Sequence, residues 1–229
     1  MRLLKSFSSL TKFEWLLWII SISVTTASFL IASDKDYLSL IASLVGVTAL
    51  IFVSKGMVLG QVLTVIFALF YGIISFFFRY YGEMITYLFM TSPMAILAAI
   101  EWYKNPYKNT DEVKVKEVRR ADIISMLILS IVVTAIFYFI LKSLNNNNLF
   151  FSTISITTSF IASYLTYLRS PYYALAYAAN DIVLIILWIM ASIVDIAYLP
   201  MVFCFVMFLF NDTYGFINWR RIKARQTEF

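Results

Sequence analysis

The sequence predicts an all-α membrane protein with eight transmembrane helices. Three observations carry that prediction. Hydrophobic residues fill 62% of the 229 positions, where soluble domains carry roughly 45–50%. Charged residues make up only 14%, against about 25% in soluble proteins. The apolar residues also fall into separate runs close to the roughly 20 residues that an α-helix needs to cross about 30 Å of hydrocarbon.

Taken in chain order, the runs cover residues 13–32, 37–54, 57–79, 83–103, 122–142, 149–168, 171–193 and 196–219. The first is long enough to span and lacks a polar cleavage region, so it reads as a retained helix rather than a signal peptide. Runs two and three are divided only by Lys55-Gly56, and runs three and four by the turn at Tyr81-Gly82. Such short connections make successive helices antiparallel neighbours. Run four carries Thr91-Ser92-Pro93 at its centre. Proline there removes a backbone hydrogen bond, and nearby hydroxyls can satisfy the freed carbonyl. Pro93 is a candidate hinge, with ordinary tolerance of proline in membrane helices as the competing account. The one long connection, from Lys104 to Arg120, divides the chain near its middle.

Basic residues set the orientation. With the N-terminus inside, the cytoplasmic side holds Arg2, Lys5, Lys12, Lys55, Lys104, Lys108, Lys114, Lys116, Arg119, Arg120, Arg169, Arg220, Arg221, Lys223 and Arg225. Only Lys35, Arg79 and Lys142 fall opposite. Both termini are therefore expected in the cytoplasm. Trp15, Trp18, Trp102 and Trp219 lie near the same helix ends, where amphipathic rings favour the headgroup level. The net charge of +5 thus reads as orientation and contact with anionic lipid, not as a nucleic-acid surface.

Absences narrow the function. The chain has no histidine, which removes catalytic triads, histidine relays and most zinc or haem sites. Its single cysteine, Cys204, forms no intrachain disulfide. No glycine-rich phosphate loop is present, so pumping by ATP within this chain has no support. No catalytic residue, metal or cofactor is expected, and an intramembrane enzyme is disfavoured.

The two halves end alike. Run four closes on Ala98 to Lys104 and run eight on Gly215 to Arg221, each with a small residue four before tryptophan and basic residues after it. Glu83 and Asp195 both precede a tyrosine at the start of these runs. Runs two to four and six to eight point the same ways once run five returns the chain across the bilayer. The expected organisation is an extra helix (1–36), a three-helix repeat (37–103), a loop and linker helix (104–148), a second three-helix repeat (149–219) and a basic tail (220–229). Parallel repeats of this kind place substrate sites near the midplane between them.

Three segments, Tyr81-Gly82-Glu83, Glu101-Trp102-Tyr103-Lys104-Asn105 and Asn211 to Trp219, resemble the PnuC family of bacterial vitamin transporters, over about Lys55 to Arg221. The resemblance implies a fold related to the SWEET sugar transporters, a homotrimer in the bacterial plasma membrane, and import of nicotinamide riboside by facilitated diffusion with alternating access. It further implies a cytoplasmic kinase that acts on what enters. Related members carry thiamine, riboflavin or deoxynucleosides, which stay open as alternatives.

Polar residues inside the apolar runs mark the candidate site, since a carboxylate at a helix centre costs about 2.5–3.5 kcal/mol on insertion scales and faces the bundle interior. Asp181 lies near the middle of run seven, and Tyr177, Asp181 and Trp188 share one helical face, with Asn180 beside it. Such a stripe can stack a heterocycle and hydrogen-bond a ribose; satisfaction by neighbouring hydroxyls is the plainer reading. In nicotinamide riboside members the corresponding pattern is tryptophan, tryptophan three further on, asparagine four beyond and tryptophan seven beyond. Here those positions read Ala174, Tyr177, Asp181 and Trp188. The departures leave room for another nucleoside or a cationic vitamin, and for proton-coupled symport through Asp181. Asn211, Tyr214 and Asn218 share a face of run eight, either for substrate contact or for interhelical hydrogen bonds. Gln61 lies at a corresponding depth, and Tyr71 and Tyr87 are candidate aromatic walls or simple packing.

Overall fold

The computed structural model describes residues 6–32, 37–77, 81–108, 110–146 and 148–227. Of the basic residues used for orientation, Arg2, Lys5, Lys35 and Arg79 lie outside the described residues. The helices are α1 (Lys12–Ile31), α2 (Tyr37–Ser54), α3 (Val58–Phe77), α4 (Tyr81–Lys104), α5 (Arg120–Ser143), α6 (Leu149–Tyr167), α7 (Tyr172–Val194) and α8 (Leu199–Thr227). Among the described residues, seven of them are long and apolar enough to cross a membrane; α3 contributes the shorter apolar stretch Val58–Ile73. Two isolated bridges, Met57 with Glu112 and Pro106 with Val113, fasten the long loop. The last helix runs on to Thr227, so most of the basic tail continues α8.

Local chemistry explains several ends and bends. Thr11 and Glu14 form a reciprocal capping box that starts α1, satisfying two of the free amides at its N-terminus. Within α4, Tyr87–Thr91 forms a π turn, with the Ser92 amide donating to the Tyr87 carbonyl. Pro93 lacks an amide proton, and its ring would strike the carbonyl four residues earlier in a regular helix. Widening the turn just upstream relieves that conflict, a common cause of bends at functional sites.

Packing closes a ring. Helix α2 lies against α3, α3 against α4, α4 against α6, α6 against α7, α7 against α8, and α8 returns to α2. Helix α1 sits outside this ring against α2 and α8, and α5 sits outside it against α6 and the start of α4. Much of α5 faces outward through side chains such as Ile124, Ile131 and Phe139, as a helix bordering lipid should.

At the basic end, two sets of contacts repeat one another. Helix α2 ends with Gly56 N donating to Val53 O (2.9 Å) and Met57 N to Phe52 O (3.0 Å); α6 ends with Arg169 N to Thr166 O (2.9 Å) and Ser170 N to Leu165 O (3.0 Å). Gly56 and Arg169 both adopt left-handed backbone, at φ 68° and 58°. The indole of Trp219 donates to Val53 O, and that of Trp102 to Thr166 O, each at 2.9 Å. Even the loop matches, with Val113 N on Gly56 O and Lys116 N on Arg169 O. The two indoles then meet across the centre, with centroids 5.3 Å apart.

Left-handed backbone is ordinary for glycine but disfavoured for arginine. Arg169 is held there by its guanidinium, which lies 3.3 Å from Glu101 and donates to Lys114 O at 3.3 Å. Burial draws that guanidinium below its usual pKa, and Glu101 opposes the shift. On the other half, Asn218 donates to Ser54 O at 2.9 Å.

Replacing Trp102 or Trp219 by phenylalanine removes one of the two hydrogen bonds that Thr166 O or Val53 O accepts, a loss of about 0.5–1.5 kcal/mol. Both variants are expected to lower the melting temperature of the detergent-purified protein by similar amounts. A large drop for one and none for the other would contradict the equivalence of the two ends.

Candidate functional site

A cavity of about 80 Å³ lies inside the ring. Each wall reaches it through residues that lipid would reject or that packing leaves small. From α2 comes Gly46, where an added Cβ would stand 2.7 Å from Phe208 Cζ. From α3 come Gln61, Thr64 and Phe67, and from the π turn of α4 come Tyr87 and Thr91. Ser159 is supplied by α6, Tyr177, Asn180 and Asp181 by α7, and Phe205, Phe208 and Asp212 by α8.

The polar groups differ in how they are held. Asn180 is fixed by α6, its Oδ1 accepting from Ser155 Oγ at 3.1 Å and Thr158 Oγ1 at 2.8 Å. The Tyr177 hydroxyl shares a 3.0 Å hydrogen bond with Ser163. Asp181 and Asp212 are each only 3% exposed, and their carboxyl groups face one another within hydrogen-bonding reach. Asp181 Oδ2 has no hydrogen-bond partner among the described residues. Gln61 is likewise 3% exposed and makes no side-chain hydrogen bond among the described residues. No lysine or arginine among them lines the cavity.

Of the residues singled out from sequence, Gln61, Tyr87, Tyr177, Asn180 and Asp181 converge on this space. The others lie elsewhere. Trp188 packs in the apolar core, stacked on Phe205 at 6.5 Å and against Tyr198 at 5.8 Å. Tyr71 lies behind Tyr87, with ring centroids 4.6 Å apart, and beside the Glu83 carboxyl. Asn211 points toward α1, donating to Ser21 Oγ at 2.9 Å and to Met207 O at 2.7 Å. Tyr214 donates to Glu14 at 2.8 Å, and Asn218 is engaged with Ser54 O. Pro93 is exposed, just past the π segment.

Glu14 anchors that outer face. It is 1% exposed, and it accepts from Lys55 Nζ at 3.0 and 3.2 Å, from Tyr214 and from Thr11 N. The polar stripe of α8 through Asn211, Tyr214 and Asn218 therefore binds α1 and α2. The neighbouring stripe through Phe205, Phe208 and Asp212 faces the cavity. Asp212 carries the signal that marks Asp181, a carboxyl within an apolar run, and its spacing of seven from Phe205 and four from Phe208 puts all three on one face.

Comparisons with known proteins agree with this architecture. A family model described as "Nicotinamide mononucleotide transporter" matches residues 36–221. The nicotinamide riboside transporter PnuC of Neisseria mucosa is 26% identical over 228 residues, covering 96% of this chain and 86% of that protein. The nicotinamide riboside transporter PnuC of Haemophilus influenzae is 22% identical over 198 residues, covering 85% and 84%. A crystal structure of the vitamin B3 transporter PnuC superposes with a TM-score of 0.80 at 24% identity, over 95% of this chain and 94% of that one.

The division of α8 into two polar faces can be checked by thiol labelling. With Cys204, the chain's single cysteine, replaced by serine, Gln61→Cys and Asp212→Cys are expected to react with a small water-soluble methanethiosulfonate. Asn211→Cys and Trp188→Cys are expected to stay inert under the same conditions. The reverse pattern would place the cavity on the wrong face of α8.

Proposed function

The chain belongs to the nicotinamide mononucleotide transporter family, the PnuC group of multi-pass membrane transporters, and we propose that it imports a nucleoside-like vitamin, nicotinamide riboside foremost, by facilitated diffusion. The observation that carries this reading is the cavity inside the ring, where aromatic rings from α3, α4, α7 and α8 stand beside amide, hydroxyl and carboxyl groups. Rings on several sides suit a flat heterocycle. Asn180, Gln61, Thr91 and the carboxyls suit an amide and the hydroxyls of a sugar.

On this reading all eight helices cross the bilayer, with both termini and the basic loop in the cytoplasm. The repeated contacts at the basic end support two matched halves. The equivalent positions of α1 and α5, each outside a junction of the ring, favour extending each half to four helices, α1–α4 and α5–α8. Alternating access then opens one end of the ring at a time, with the π turn and Pro93 of α4 as the flexible point and the twin tryptophans as the cytoplasmic closure. A homotrimer in the bacterial plasma membrane, and a cytoplasmic kinase that traps the product, complete the proposal.

At about 80 Å³ the cavity is far below the roughly 300–1,000 Å³ of ligand sites. Admitting a nucleoside therefore requires α2, α7 and α8 to part around Gly46, Asp181 and Phe208.

Counterflow in proteoliposomes tests the assignment. Labelled nicotinamide riboside is expected to exchange saturably, and thymidine, deoxyadenosine and thiamine to compete more weakly. No exchange of any of the four would remove the transporter reading. Uniport further predicts that an imposed pH gradient leaves the initial rate unchanged. Acceleration by an inward proton gradient, abolished in Asp181→Asn, would instead establish symport through that residue.

A further inference from the structure

The polar stripe of α8 does not stop at Asn218. Tyr214, Asn218, Arg221 and Arg225 follow one another at intervals of four, three and four residues, which keeps them on one face of the helix. That face, the start of α1, Lys55 and Glu112 of the long loop border a cavity of about 410 Å³ at the basic end of the molecule. It shares no lining residue with the central cavity, and its volume falls within the roughly 300–1,000 Å³ of ligand sites.

The charges on its wall do not balance. Lys55 is neutralised by Glu14 at 3.0 Å. Arg225 is neutralised by Glu112, which also accepts from Gln226 at 2.8 Å. Arg221 makes no ion pair or hydrogen bond among the described residues, and the lining holds no further carboxylate to meet it. A guanidinium in that position offers a fork of N–H donors that matches the oxygens of a phosphate. The inner edge of the same cavity has the opposite character. Phe13 and Ile217 line it and are both exposed, and the Phe13 ring stands 5.1 Å from that of Tyr214. Both residues belong to the apolar runs of α1 and α8, so this edge borders hydrocarbon while Arg221 and Arg225 stand at headgroup level.

We infer that this cavity is a binding site for an anionic phospholipid, with the headgroup phosphate on Arg221 and the acyl chains along Phe13 and Ile217. A soluble phosphate shares the headgroup chemistry but leaves both exposed apolar side chains uncovered. A zwitterionic headgroup brings its own cation to a wall that already carries one in excess. The lipid sits between the start of α1 and the end of α8, two segments that Glu14 and Tyr214 already join on the inner side. The inference rests on the location of the chain in a bilayer and not on what it carries.

Purified full-length protein in nonionic detergent is titrated with phosphatidylglycerol or phosphatidylcholine, and bound lipid is counted by native mass spectrometry. The wild-type protein is expected to prefer phosphatidylglycerol by at least about fivefold. In Arg221→Gln the preference is expected to fall to within about twofold. Arg220→Gln removes the same charge from an exposed neighbour outside the cavity lining, and is expected to keep the wild-type preference. Inorganic phosphate in large molar excess is expected not to displace the lipid.

Equal affinity for the two lipids in the wild-type protein would overturn the inference. Equal losses in the two arginine variants would also overturn it, by showing that the basic helix end attracts anions diffusely. Displacement by inorganic phosphate would reassign the cavity to a free anion and overturn the lipid assignment. Should Arg221→Gln fail to fold, the wild-type ratio and the phosphate competition still decide.

Discussion

Hydrocarbon offers a polar side chain two destinations, a partner on another helix or an internal space. Nearly every feature of this molecule follows from how its few intramembrane polar groups divide between them. Asn211, Tyr214 and Glu14 find partners and weld α1 to α8. Trp102, Trp219 and Asn218 find backbone carbonyls at the ends of α6 and α2 and close the basic end of the ring. Asp181, Asp212 and Gln61 are left facing the cavity, and the ring of apolar helices exists around them. The sorting is done by helical periodicity. One position along α8 separates Asn211, which is structural, from Asp212, which faces the interior.

The overall architecture was legible in the chain because length and hydropathy are properties of side chains alone. So was the likeness of the two closing helices, through Trp102 and Trp219. The likeness of α2 and α6 was not. Val53 and Thr166 share no side-chain chemistry, yet each offers a carbonyl that receives an indole. Gly56 and Arg169 differ as much, yet each turns the chain through left-handed backbone. Equivalence carried by main-chain atoms leaves no trace in composition. The stripe through Asn211 misled for a related reason, because interhelical amides and ligand-binding amides look identical in one dimension. Asp212 was the more readable clue, since an acidic group in an apolar run demands an interior destination whichever helix carries it.

Helix α4 joins these themes. Proline at position 93 widens the preceding turn, and the widened turn presents both Tyr87 and Thr91 to the interior. In a regular helix, side chains four apart already lie near one face. The additional residue in the π turn therefore changes the angle at which the upstream and downstream segments meet the ring. The upstream segment reaches Glu83 and Tyr71, and the downstream segment ends in the Glu101–Arg169 pair and the Trp102 anchor. A displacement at the π turn is thus mechanically connected to both ends of the molecule.

The tightness of the cavity has a kinetic corollary. A guest that must first separate Gly46 from Phe208 binds with its intrinsic affinity reduced by the fraction of time the site stands open. If the carrier is passive, as proposed, weak apparent holding is an advantage, because a tightly kept passenger would seldom leave on the far side. On that proposal a contracted resting site would favour rapid turnover over scavenging, and would leave retention to chemistry performed after release.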